Sequence, residues 1–224
     1  MTTTPELIIF DCDGVLVDSE PIAAKVLANY ISSHGRATTM DECLELFTGF
    51  SLGSVEKIIL EKWHMKLPVN FISELRALDR AAFEKDLKPL PGVSDTIKLL
   101  KNNGIKVCVA SSGSIEKITH SLSITNLLDL FDGNIFSAAN VANGKPAPDL
   151  FLLSSNKMGV TANNTTVIED SPAGIIAGKN ASMQVFAFNG GGHAHAPAFM
   201  ARINDARPDK VFSSMNDLPL LLGL

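Results

Sequence analysis

The sequence predicts an α/β fold: a Rossmann-like, doubly wound parallel sheet, broken once by an inserted all-helical segment. Two observations carry this reading. Short apolar runs end abruptly in polar clusters, as Ile8-Ile9-Phe10 does at Asp11-Cys12-Asp13-Gly14, which is how buried parallel strands meet a ligand at their carboxyl ends. Helical and strand-like patterns alternate from about residue 89 onward, whereas residues 18–88 carry helical periodicity alone. The expected division is a core built from 1–17 and 89–224, with an inserted helical domain at 18–88.

In chain order, Leu7–Phe10 reads as a central strand bounded by Pro5 and Asp11. Ser19 is placed to cap a helix that tolerates Pro21 in its first turn, shows Ile22, Val26, Leu27 and Ile31 on one face, and ends at Gly35. Thr39-Met40-Asp41-Glu42 has capping-box spacing ahead of Cys43, Leu44, Leu46 and Phe47. A loop over 48–53 precedes a helix carrying Val55, Ile58, Ile59 and Trp63, and a fourth helix follows Asn70. Lys88-Pro89-Leu90-Pro91-Gly92 ends the block as a hinge. A helix over 93–101 then leads to a strand over 105–110, a Ser-rich helix start, a short strand near Ile135-Phe136 and a helix over 149–158. A strand over 165–168, a helix over 173–180, a strand over 183–188, Lys210–Phe212 and a Leu-rich segment complete the pattern.

The 224 residues suffice for one large domain with an insertion, and 46% hydrophobic content is ordinary for a folded chain. A net charge of −5, without a basic, aromatic-interleaved patch, argues against nucleic acid and anionic membrane as partners. No apolar run approaches the ~20 residues of a membrane span. Met1–Glu6 has neither a basic head nor an apolar core, so a cytoplasmic location is expected. Three scattered cysteines, Cys12, Cys43 and Cys108, give no disulfide framework. A cysteine phosphatase loop is excluded, because Asp18, Gly49 and Ser114 stand where its Arg would fall.

The chemistry gathers where three strands end. Asp11 and Asp13 follow the first, Ser111-Ser112-Gly113-Ser114 the second and Glu169-Asp170-Ser171 the third, so parallel strands would bring all three clusters to one sheet edge. Four carboxylates there require a cation, and oxygen donors point to Mg²⁺ before Zn²⁺. Ser111, with the backbone N–H groups of Ser112 and Gly113, forms an anion site. Lys145, in the stiff turn Asn143-Gly144-Lys145-Pro146-Ala147-Pro148, can direct its ammonium to the same anion. Metal, hydroxyl, amides and lysine together describe a phosphate site. Competing readings fail on residues. Val15 and Ile22 spoil an EF-hand, and Gly174–Asn180 lacks the Ser/Thr and the length of a P-loop. His193-Ala194-His195 reads as a solvated pair in a loop, and Asp18 is left between capping a helix, fixing the hinge and touching substrate.

Asp11-x-Asp13-Gly14, Ser111, Lys145 and Glu169-Asp170, in this order, resemble the four motifs of the haloacid dehalogenase-like hydrolases. The helical insertion is similar to that superfamily's small (subclass I) cap, and the closest likeness is to its β-phosphoglucomutase-like and sugar-phosphate phosphatase branch. The resemblance implies that Asp11 is the nucleophile, Asp13 the general acid/base, and Ser111, Ser112 and Lys145 the phosphate site. It implies Mg²⁺ held by Asp11, the Asp13 carbonyl, Glu169 and Asp170, and a substrate-selecting turn at Gly49, Phe50 and Ser51. A small sugar or sugar-acid phosphate is the expected partner of a monomeric phosphatase. The mutase alternative is disfavoured, because Leu52, Ala23 and Ser114 stand where the mutase pattern has Arg, His and Lys. A non-catalytic member is disfavoured by the presence of every motif residue.

Overall fold

A computed structural model of the chain describes residues 4–194 and 197–224. The chain forms two compact units, one from the segment up to Asp18 and from Lys88 onward, the other from Ser19–Leu87. β1 (Leu7–Phe10) opens the first unit, and α1 (Glu20–Ser33), α2 (Met40–Phe47), α3 (Leu52–Trp63) and α4 (Phe71–Asp86) make the second. The first unit resumes with α5 (Val93–Asn102), β2 (Lys106–Ser111), α6 (Ile115–Ile124), β3 (Ile135–Ser137) and α7 (Asp149–Lys157). It continues through β4 (Thr165–Glu169), α8 (Pro172–Asn180), β5 (Gln184–Phe188), α9 (Pro197–Asp205), β6 (Lys210–Phe212) and α10 (Leu218–Leu221).

The strands form a parallel sheet in the order β3-β2-β1-β4-β5-β6. The order reverses at β1, so the crevice for a ligand lies at the carboxyl ends of β1, β2 and β4. Both faces of β1 are covered, which is why its four residues are all apolar and 0% exposed. Leu7 and Ile9 join Leu150, Phe151, Val167, Ile175 and Val185 in the core beneath α7, α8 and α9. Phe10 points to the opposite face, where its ring meets Phe131 edge-on at 6.4 Å. Burying such side chains is worth roughly 1.5–3 kcal/mol each, so β1 is firmly held before any polar contact is counted.

Close helix–sheet packing has a local cause at Gly178. A Cβ there would lie 2.6 Å from Val185 Cγ2, closer than atoms can approach, so α8 seats on β5 because that residue has no side chain. The glycine-rich helix that fails as a P-loop is thus a packing helix.

The helical unit has its own core, with Ile31, Ile59 and Phe71 fully buried and Phe47 meeting Trp63 edge-on at 5.5 Å. Thr39 caps α2 by accepting from Glu42 N–H, but the capping box does not close, because Glu42 turns to Arg36 at 2.6 and 2.9 Å. Arg36 in turn lies 3.5 Å over the Trp63 ring. Ser19 takes the N-cap position of α1 without a side-chain capping bond, contrary to expectation. Ser51 caps α3, so the predicted loop is shorter and the helix starts at Leu52.

Tyr30 Oη donates to Glu74 Oε2 at 2.6 Å, joining α1 to α4. Burial, and then Glu74, push its phenol up to about 12. A raised value favours the protonated form in the fold, so this stabilisation is complete below the ordinary tyrosine value near 10 and fades as pH rises through about 12. Tyr30→Phe should cost about 1 kcal/mol at neutral pH in urea denaturation, and the gap from wild type should close on that alkaline rise.

Candidate active site

Register determines which side chains meet. Phe10 is level with Val109 of β2 and Ile168 of β4, so the next residues, Asp11, Ala110 and Glu169, stand at one height. Asp11 N–H donates to Ile168 O at 2.9 Å and carries the ladder one residue past the strand. The loop then turns sharply: Gly14, at φ +75°, donates to Val17 O at 2.9 Å. A Cβ on Gly14 would collide with the Asp170 carboxylate, so glycine is required here both for conformation and for room.

Lys145 binds these strand ends together. Its ammonium donates to Asp11 Oδ1 and Glu169 Oε1 at 2.5 Å each and to Ala110 O at 3.1 Å, which uses all three donors. The side chain is 4% exposed. Burial alone would lower its pKa, but Asp11 and Glu169 outweigh that and hold it above the usual ammonium range. Asp11 responds in the opposite way. Burial pushes it well above the usual carboxylate range, Lys145 offsets only part of this, and Glu169 and Asp170 add to the rise.

Glu169 is held on both sides. Oε1 accepts from Lys145, while Oε2 accepts from Asp170 N at 3.0 Å, Ser171 N at 3.0 Å and Ser171 Oγ at 2.9 Å. Asp170 lies beside it, with its Oδ2 2.9 Å from His193 Nε2, and burial raises its pKa against the opposing pull of His193. Asp13 Oδ2 accepts from Lys117 Nζ at 2.7 Å. The buried Ser111 Oγ accepts from Gly113 N at 3.2 Å, and Ser137 Oγ donates to Gly113 O at 2.5 Å, fixing the loop before α6.

A model of the family described as haloacid dehalogenase-like hydrolase matches residues 8–188. The chain belongs to the haloacid dehalogenase-like hydrolases. It is 30% identical over 184 residues to the 6-phosphogluconate phosphatase of Escherichia coli strain K12, covering 82% of each chain. Among solved structures it is 32% identical to a conserved haloacid dehalogenase-like protein of unknown function from Agrobacterium tumefaciens, with TM-score 0.89 and 97% of each chain covered. It is 25% identical to a haloacid dehalogenase-family hydrolase from Deinococcus radiodurans with bound phosphate and sodium, with TM-score 0.83, covering 99% of this chain and 96% of that one.

Within this hydrolase the structure gathers Asp11, Asp13, Ser111, Lys145, Glu169 and Asp170 at one sheet edge, with Ser112 exposed in the loop between β2 and α6. It also revises several expectations. Ser111 ends β2 rather than opening a helix, α6 is capped by Ser114, and Gly113 N–H is engaged by Ser111 instead of standing open. Glu169 accepts hydrogen bonds on both oxygens and so also anchors Lys145. His193 is 3% exposed and faces Asp170, which overturns its reading as a solvated loop residue; His195 lies outside the described residues. Asp18 accepts from Gly192 N at 3.0 Å and therefore fastens a loop. Lys117 was missed altogether. Gly49, Phe50 and Ser51 belong to the helical unit, where Gly49 has φ +84° and the Phe50 side chain is exposed.

The donor set can be tested for a cation. Among the described residues no three His, Cys, Asp or Glu side chains are disposed to hold a metal by themselves. Mg²⁺ does not require three; one or two carboxylates, completed by water and a substrate phosphate, suffice. Asp11 and Asp170 are two such carboxylates, both buried beside Lys145 and Glu169 at the sheet edge. The residues fit a hard divalent cation.

Gly174 provides a test of how tightly Glu169 is held. A Cβ there would run into the Glu169 carboxyl group, which its bonds prevent from moving aside. Helix propensity favours alanine by about 1 kcal/mol, whereas an overpacked contact costs about 1–3 kcal/mol. Gly174→Ala should therefore destabilise the chain by up to about 2 kcal/mol in urea denaturation, and a stabilised variant would show that Glu169 is mobile.

Proposed function

We propose that the chain is a Mg²⁺-dependent phosphatase that hydrolyses a small sugar or sugar-acid phosphate through an aspartyl-phosphate on Asp11. The observation that carries this reading is the Lys145 ammonium shared between Asp11 and Glu169, with Asp13 two residues beyond the nucleophile. The phosphatase named among its relatives supports a phosphoric monoester hydrolase, and its substrate supports the sugar-phosphate class.

In this reading Asp11, Asp170 and the main-chain carbonyl of Asp13 hold Mg²⁺, which supplies charge stabilisation to the phosphoryl oxygens when bound. Lys145 fixes the Asp11 carboxylate through Oδ1 and favours its ionised form against the effect of burial. Asp11 forms a bond to phosphorus as the ester P–O bond breaks, and Asp13 delivers a proton to the departing alcohol. Asp13 then removes a proton from water, which attacks the aspartyl-phosphate and releases phosphate and the restored Asp11. The partner of Asp13, Lys117, extends on a side chain 44% exposed, so the carboxylate can exchange that contact for a substrate proton. Ser111 and the Ser112 amide receive the phosphoryl oxygens at the mouth of the loop that Ser137 braces. Glu169 does not touch the ester; it holds the lysine.

Release of inorganic phosphate from a panel of sugar and sugar-acid phosphates, with Mg²⁺ and after chelation, tests the proposal. Activity should require Mg²⁺, Asp11→Asn should lower kcat at least about a thousandfold, and Asp13→Asn about a hundredfold or more. Hydrolysis that survives in Asp11→Asn, or isomerisation without release of phosphate, would refute it.

A further inference from the structure

The loop after β5 carries a residue that the family motifs do not account for. His193 is buried, with its side chain at 0% exposure and Nε2 2.9 Å from Asp170 Oδ2. Its space has been cleared from two directions. A Cβ on Gly14 would lie 2.8 Å from His193 Cε1, and one on Gly191 would lie 2.9 Å from both Cε1 and Nδ1. Such separations are closer than real Cβ contacts allow, so glycine at both positions is what admits an imidazole. Phe199 closes the pocket with its ring 5.3 Å away and edge-on. The loop itself is fastened to the first motif, since Gly192 N–H donates to Asp18 Oδ1 at 3.0 Å.

A histidine filling a hole in the core would not need the backbone of two separate loops to stand clear of it. Nor would it present a ring nitrogen to a buried carboxylate at the sheet edge. We propose that His193 is a positioning residue for Asp170: its ring, with Nε2 close to Oδ2, restricts how the carboxylate can turn and leaves the other oxygen to Mg²⁺. The inference rests on the reading of Asp170 as a Mg²⁺ ligand. Partners that orient a ligand in this way change metal affinity by 10–100-fold when removed, and Gly191 and Asp18 are then parts of the same support.

Mg²⁺ binding measured by calorimetry, which needs no turnover, tests it on wild type, His193→Phe, His193→Gln and Gly191→Ala. His193→Phe keeps the bulk and loses the polar contact, and its Mg²⁺ dissociation constant should rise about 10–100-fold. The Mg²⁺ concentration for half-maximal phosphate release should rise by the same factor. His193→Gln restores an N–H near the position of Nε2 and should recover most of the affinity. Gly191→Ala leaves the histidine in place but crowds its ring, so it should weaken Mg²⁺ in the same direction, and it decides the matter if His193→Phe fails to fold. Mg²⁺ affinities within twofold of wild type in the folded variants would overturn the role of His193 while leaving the phosphatase reading intact. A wild-type chain that binds no Mg²⁺ would overturn both.

Discussion

The contact on which the site depends is the buried ammonium of Lys145 between Asp11 and Glu169. Removing three charges from water is expensive, and a buried ion pair repays that cost only when geometry is good and remaining donors and acceptors are filled. Here they are filled: Lys145 uses every donor, and the far oxygen of Glu169 is taken up by Asp170 N, Ser171 N and Ser171 Oγ. Because the partners sit on β1, β2 and β4, the cluster fixes the height of three strand ends relative to one another. Hydrophobic burial holds the sheet together, and the lysine decides where its chemistry stands.

Bringing so much charge to one edge demands space as well as compensation, and the chain finds it by leaving out side chains. Gly14 admits the Asp170 carboxylate against the first-motif turn, and Gly174 admits the Glu169 carboxylate against α8. Gly178 seats the same helix on β5. Each glycine forgoes some backbone rigidity, and in return a carboxylate at Gly14 and Gly174, or a valine at Gly178, approaches a backbone more closely than any other residue would permit. Helix packing and site geometry are therefore one constraint, carried in large part by α8.

Much of this was legible in the sequence, because it is written locally. Apolar runs stopping at carboxylates located β1 and β4, helical periodicity without strand-like runs marked residues 18–88 as a helical segment, and motif order pointed to Asp11, Asp13, Ser111, Lys145 and Asp170. What could not be read locally was the pairing. Lys117 reaches Asp13 across 104 residues of sequence, and Lys145 reaches Asp11 across 134; only the second had a motif to announce it. His193 followed a run of three glycines that reads as a flexible loop, although one of them, Gly191, makes room for the buried ring. Ser19 and the Thr39–Glu42 box show the same limit at smaller scale. The residue types suited caps, but other partners claimed Glu42, and Ser19 makes no capping bond.

Charge balance explains why the proposed cation belongs to the substrate step and not merely to the fold. Asp11, Asp13, Glu169 and Asp170 lie close to two ammonium groups, Lys145 and Lys117, so among these groups the carboxylates outnumber the lysines by two. A phosphate monoester arrives at neutral pH with nearly two more. In a buried setting, where like charges interact several times more strongly than in water, that approach is repulsive unless a divalent ion is already present. Lys145 has every donor engaged within the strand ends, and Lys117 donates to Asp13. On the proposed reading, this excess of carboxylates is what draws a cation first and a phosphate ester second.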